Sequence, residues 1–347
     1  MLRSKSRRLA AAWLLSGTAV LGGCDADLST TVPDSGYIDR AAVVVNRGDR
    51  TLTTIPFAAS EAPRTLVLGT AGVPSDLAVR NERALVPMEG TVLVVDLRMG
   101  TIERRLMLLP TQTGQRVAFV NDTLALVSSP AGGTITAVNP QTGRVAPPSG
   151  AAGVGPLDVL PSGPKIYVLS SPPAPAVPAV VVLDTLLRFT GVIPLSGTSP
   201  RAMVMRGSFL YVLHAGAPGS AGGALSIVDT GVGRETGFVQ GFGESPESMA
   251  FNSRGELFVS VPGRGLIVFN PVTRAFTPGP ETPLASRGLD RVTRVAADPA
   301  GFVYALQPDG CDRPGTLLRL NADGSPAASV TTGICPTDVE FTALPLR

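Results

Sequence analysis

Residues 74–106 read PSDLAVRNERALVPMEGTVLVVDLRMGTIERRL. A short apolar run (Leu77–Val79) precedes a stronger one (Ala84–Val86), and a third ends in an acid (Val92–Asp96). Val-rich runs of this length, bounded by Gly, Asn and Pro, read as strands joined by tight turns. The same order recurs in SPRAMVMRGSFLYVLH with GALSIVD (199–214, 223–229) and in SPESMAFNSRGELFVSV with GLIVFN (245–261, 265–270). From residue 37 on, no stretch carries apolar residues at three-four spacing for three turns. The chain is therefore expected to be all-β.

The third residue of each opening triplet marks the repeat: Asp76, Arg116, Leu157, Arg201, Glu247, Arg294 and Asp338, at intervals of 40, 41, 44, 46, 47 and 44 residues. That period matches a four-stranded blade with its hairpin loops, and several such blades around an axis make a β-propeller. Seven markers predict seven blades. The last marker leaves only TDVEFTALPLR, one strand, whereas AAVVVNRGDRTLTTIPFAASEAPRTLVLG (41–69) supplies about three strands without an opening one. Together they complete a blade, so the ring is expected to close by mating the N- and C-terminal strands.

Stretches such as AVVVNRGDRTLTTIP, ALVPMEGTVLVVDLRMGTIERRL and FLYVLHAGAPGSAGGALSIVDTGVGRETG resemble the YVTN family of β-propeller repeats, which are NHL- and WD40-like in architecture. The resemblance covers most of residues 37–347 and departs from the family pattern at SSPPAPAVPA (170–179). It implies a fold and not an activity, because propellers carry many unrelated functions.

The N-terminal stretch predicts an address. MLRSKSRR carries Arg3, Lys5, Arg7 and Arg8 with no acid, and an apolar run follows that is too short to span a bilayer but suits a signal peptide. Leu21-Gly22-Gly23-Cys24 resembles the lipobox of bacterial lipoproteins, which implies cleavage after residue 23 and lipidation of Cys24; an ordinary leader with an incidental cysteine is the competing reading. Asp25 resembles an inner-membrane retention residue of enteric lipoproteins. The expected organisation is a signal peptide over 1–23, a lipidated tether over 24–36 and a propeller over 37–347. Multiple acyl chains anchor stably where one is marginal. The location implied is periplasmic or cell-surface, attached to a membrane.

Without residues 1–23 the chain has 25 basic and 27 acidic residues, and Lys165 is its one lysine. No basic run remains to track a phosphate backbone, which argues against nucleic acid as a partner. With Cys24 given to lipid, Cys311 and Cys335 remain. They fall in two connections on the same face of the disc, and an exported chain meets oxidising conditions, so a disulfide is expected.

Asp96, Asn139, Asp184, Asp229, Asn270 and Asn321 end third strands before turn sequences such as LRMG or PQTG, so backbone capping is expected of them rather than metal binding. Arg47-Gly48-Asp49 falls where a hairpin turn belongs. His214, the one histidine, opens the loop HAGAPGSAGG (214–223) and reads either as a solvated loop residue or as a catalytic base or metal ligand, with no second histidine to share a metal. Around the closed ring, six of the seven markers are charged. They predict either a neutral ring of inter-blade ion pairs or a polar funnel at the channel mouth, in which Asp76, Arg116, Arg201, Glu247, Arg294, Asp338 and His214 would bind a small ligand or a partner's side chain.

Two function classes follow. One is a binding or scaffolding module of the cell envelope, monomeric, with 170–179, 214–223 and the Cys311 loop forming a face low in charge and suited to protein contact. The other is a lactonase-like or lyase-like propeller enzyme. With one histidine such an enzyme would need a metal held by oxygen ligands, which favours Ca²⁺ or Mg²⁺; no phosphate loop, nucleophile elbow or haem motif is present, and no cofactor is otherwise expected.

Overall fold

The computed structural model describes residues 40–57, 61–109, 114–173, 176–277 and 288–343. The expected signal peptide, Cys24 and the tether lie outside the described residues. Seven antiparallel sheets surround one axis, and the chain is a seven-bladed β-propeller. The inner strands are Ala78–Arg80, Arg116–Asn121, Pro156–Ser162, Pro200–Arg206, Ser248–Phe251, Arg294–Ala297 and Pro336–Ala343, which open blades 1 to 7 in that order. Each touches the next around a complete cycle.

The ring closes as its two chain ends predict. The C-terminal strand Pro336–Ala343 is the inner strand of blade 7, and it pairs antiparallel with Arg40–Asn46, which is followed outward by Thr51–Pro56 and Arg64–Val67. The hairpin at Arg47–Arg50 extends the closure to blade 6. Arg47 and Gly48 donate backbone N–H bonds to the carbonyls of Cys335 and Ile334, and Asp49 Oδ2 accepts from Ile334 N–H at 3.0 Å. A Cβ on Gly48 would stand 2.6 Å from Ile334 Cγ2, so only glycine fits this approach. The Arg-Gly-Asp triplet is thus a packed turn.

Both faces of each sheet are covered by neighbouring blades. Val43 and Val45 point into the cluster shared with blade 1, whereas Ala42 and Val44 point into the one shared with blade 6. Seven such clusters fill the seven interfaces. Because successive side chains on a strand point to opposite faces, a strand buried on both sides must be apolar throughout. This is why runs such as AAVVV show no alternation, and each buried Val contributes roughly 1.5–3 kcal/mol. Outermost strands recover the alternation: Arg234–Gln240 shows exposed residues at every second position.

Blade 2 departs from the four-stranded expectation. Three strands form its sheet, and the fourth is reduced to two isolated pairings, Val138 with Val145 and Ile135 with Ser149. Pro147 and Pro148 occupy the stretch between them. Proline has no N–H to give to a ladder, so a continuous strand cannot form there.

Candidate functional site

Strand pairing fixes which residues share a level at the waist of the channel. Arg116 lies opposite Ser128, Ser248 opposite Ser260 and Arg294 opposite Leu306 on the second strands; Asp158, Ala202 and Asp338 lie opposite the corresponding Leu169, Leu213 and Val45. Asp76 stands two residues before Ala78, which faces Leu85, and so joins the same level. The waist is therefore Asp76, Arg116, Asp158, Ala202, Ser248, Arg294 and Asp338. Three of the seven sequence markers, Leu157, Arg201 and Glu247, stand one residue outside this level and line the mouth of the channel, whereas Asp76 and Asp338 lie at the waist and do not line the mouth. Leu157 and Arg201 sit in register shifts between Pro156 and Asp158 and between Pro200 and Ala202, and Glu247 precedes its strand by one residue. A bulge adds a residue without changing composition, so counting along the chain cannot reveal it.

The waist side chains first hold blades together. Asp76 Oδ2 accepts the N–H of Val117 at 2.8 Å, Asp158 Oδ2 that of Met203 at 3.0 Å, and Ser248 Oγ that of Val295 at 2.8 Å, in each case from the next blade. Two ion pairs add to these clasps. Arg116 Nη1 donates to Asp76 Oδ1 at 2.7 Å, and Arg294 Nε stands 2.7 Å from Asp338 Oδ1 without hydrogen-bond alignment. Arg201 and Glu247 are exposed and form no ion pair within 4.0 Å among the described residues, so the markers do not make a continuous ring of pairs.

The two pairs meet where the ring closes. Asp338 is 1% exposed; its Oδ1 accepts the Val339 N–H at 2.9 Å, and its Oδ2 has no donor. Its carboxyl reaches that of Asp76, which is 4% exposed. Glu340, two residues further along, projects from the same side of the strand and lines the channel. Three carboxyls thus face two guanidinium groups. Burial pushes Asp76 up to about 7 against the pull of Arg116, and Asp338 raises it further. Burial pushes Glu340 up to about 8, with Asp338 adding and Arg294 opposing. Asp76 in turn raises Arg116, and Glu247 is raised by burial with Arg201 opposing. Glu340 was not among the sequence candidates. Its signal was an acid two residues after Asp338 on a strand of otherwise apolar neighbours, DVEF.

Arg116 and Arg294 divide the channel into two chambers, since they line both. On the disulfide face lies a mouth of about 370 Å³, bounded by Gln115, Arg201, Glu247, Thr293 and the Cys311 and Cys335 positions. Toward the opposite face lies a chamber of about 560 Å³ with apolar walls, among them Leu77, Phe119, Leu160, Met203 and Phe251, and a charged floor that includes Asp76, Asp158 and Glu340.

Cys311 and Cys335 are disulfide-bonded, with Cα atoms 4.3 Å apart. They join the hairpin between the second and third strands of blade 6 to the crossing into blade 7. His214 is placed differently from the expectation. It ends a second strand rather than lying in a loop, is 0% exposed and lines neither chamber. Its Nε2 is 2.8 Å from Ser226 Oγ, and its buried Nδ1 has no hydrogen-bond partner among the described residues. A Cβ at Gly197 would collide with the imidazole, which shows how closely the backbone is laid on the ring. Burial holds His214 down to about 4, so it is neutral at pH 7 and serves packing.

The strand-end residues cap turns: Asp96, Asn139, Asp184, Asp229 and Asn270 each accept backbone N–H bonds from two to four residues ahead, and Asn321 donates to Ser325 Oγ. Among the described residues, no three His, Cys, Asp or Glu side chains converge in a way that could hold a metal ion.

No protein-family model matches this sequence, and no curated protein matches it significantly. Among solved structures the chain is similar to hydrazine synthase of Kuenenia stuttgartiensis, at 16% identity and a TM-score of 0.58, covering 80% of this chain and 95% of that one. It is also similar to the WD40 β-propeller domain of Doa1, at 12% identity and a TM-score of 0.58, covering 78% of this chain and 86% of that one. At these identities the likeness is one of fold alone.

Proposed function

We propose that this protein is a lipoprotein of the bacterial cell envelope, anchored through Cys24, whose propeller binds a small ligand or a group of a partner protein at the channel mouth. The observation that carries this reading is the preformed 370 Å³ mouth chamber, floored by Arg116 and Arg294 and set beside the disulfide-pinned loop of blade 6. Rigid scaffolds position recognition groups on loops at low ordering cost. The waist ion pairs and blade clasps hold the floor of the chamber in place before any ligand arrives. The tether, twelve residues at roughly 3.3–3.6 Å each, reaches about 40 Å at most and keeps the disc near the lipid surface.

The test is crosslinking of the full-length protein in its native envelope, with attached peptides mapped by mass spectrometry. The reading expects crosslinks centred on 214–223 and 307–315, or a co-purifying small molecule, and loss of membrane association in Cys24→Ser. Efficient crosslinking that yields neither a partner nor a ligand, or a Cys24→Ser protein that stays in the membrane fraction, contradicts it.

A further inference from the structure

The mouth has a charge pattern that the waist alone does not suggest. Three arginines from three different blades, Arg116, Arg201 and Arg294, line one 370 Å³ space, and Glu247 is the one acid among its lining residues. The counter-ions of two of these arginines lie outside that space. Asp76 lines the opposite chamber and not the mouth, and Asp338 lines neither. The two counter-ions thus stand away from the mouth, while both arginines line it.

The donors of these arginines are numerous. A guanidinium has five N–H groups. Arg116 uses one on Asp76, Arg294 directs only Nε at Asp338, and Arg201 has no hydrogen-bond partner among the described residues. Thr293 adds a hydroxyl beside the same space, and the Cys311–Cys335 bridge adds an apolar pad. Planar donors converging from several directions match a carboxylate, which they can grip bidentately.

We propose that the mouth chamber is a carboxylate-binding site, with Arg201, Arg116 and Arg294 as the gripping residues and Glu247 as the one acid of the lining, whose charge opposes the ligand. The inference deepens the binding reading above and rests on it. Two sources supply this chemistry, a free small carboxylate and the terminal carboxylate of a peptide.

The experiment titrates the full-length protein in detergent micelles with succinate, with the length-matched diamine 1,4-diaminobutane, and with a short peptide carrying either a free or an amidated C-terminus, followed by calorimetry. Succinate or the free-terminus peptide binds, and the diamine and the amidated peptide do not. Arg201 is an exposed bulge residue, so Arg201→Gln folds normally and weakens the carboxylate at least about tenfold, the loss of one charge-assisted grip. Glu247→Gln removes the competing acid and tightens it. Succinate binding without peptide binding assigns the free source, and the reverse assigns the peptide. Binding of the diamine instead, affinity unchanged in Arg201→Gln, or no carboxylate binding at about 10 mM overturns the inference. If crosslinks still cluster on the mouth loops in that event, the binding module stands and only its ligand class fails.

Discussion

Glu340→Gln is the perturbation that probes the buried charges at the ring closure most directly. Glu340 is pushed up to about 8 from an ordinary 4.5, and Asp76 to about 7 from 3.8, both chiefly by burial. An acid whose folded value is raised binds its proton longer in the folded than in the unfolded chain. Stability from it is complete below the unfolded value and is lost as pH rises through the folded one. The slope approaches about 1.4 kcal/mol per pH unit per proton. Below pH 6.5 the effect is masked, because His214, held down to about 4, gives a slope of opposite sign there. The clean window is therefore pH 6.5 to 8. Within it wild-type protein should lose about 2 kcal/mol, allowing for the half-titrated state at the upper end. Glu340→Gln removes the larger of the two titrations and leaves that of Asp76, which its own burial raises, so the variant should lose only about 0.8 kcal/mol over this window. Urea unfolding at half-unit pH steps, followed by tryptophan-independent far-ultraviolet circular dichroism, measures this. A wild-type stability that holds or rises between pH 6.5 and 8, or a Glu340→Gln profile parallel to it, would refute the argument that the closure retains an extra proton.

Three further outcomes are expected. His214→Gln keeps a donor for Ser226 but removes the titrating ring, so the slope of stability against pH between 4 and 6.5 should fall by about one proton, near 1.4 kcal/mol per unit; an unchanged slope in urea titrations counts against the buried, neutral imidazole. Replacing Cys311 and Cys335 together by Ser frees a segment of 24 residues, which should cost about 3 kcal/mol and lower the melting temperature by roughly 5–10 °C, and a calorimetric scan showing no change would remove the bridge from the account of stability. Asn46 is 0% exposed, donates to Thr51 and Thr53 and accepts from Gly333 N–H across the closure; Asn46→Leu leaves those partners unpaired and should cost about 2–4 kcal/mol in urea unfolding, a prediction that fails if the loss is below about 1 kcal/mol.

Much of the architecture was legible because it rests on local chemistry repeated seven times. Turn-capping Asp and Asn residues, short Val-rich runs and a period near 44 residues leave a trace that counting along the chain can recover. The fragments at the two ends added up to one blade, which identified the closure. Blade 2 shows the limit: the Pro147-Pro148 pair was visible in the sequence, yet its effect on the outer strand depends on which backbone groups would have faced the ladder.

The candidate site was legible in composition and not in register. Asp76, Arg116, Arg294 and Asp338 were found because they are charged and periodic. Counting could not show that Leu157, Arg201 and Glu247 stand one residue outside the level of Asp76, Arg116, Arg294 and Asp338, at register shifts in two of those three blades, or that Asp158, Ala202 and Ser248 complete that level. His214 was taken for a loop residue because a histidine before Ala-Gly-Ala-Pro has the local look of a loop. Its burial comes from Gly197 and Phe238, which the fold brings against it.

By itself the sequence determined the all-β class, the blade count, the pairing of the chain ends and the turn residues, since each depends on neighbours within a few positions or on a repeat that exposes itself by recurrence. Tertiary structure alone decided that Asp76, Asp338 and Glu340 share one buried corner, that Arg116 and Arg294 line the mouth while their counter-ions do not, and that the channel is split at the waist. The first of these joins residues more than 200 positions apart, and a side chain's charge state follows from what surrounds it in space, which no local pattern encodes.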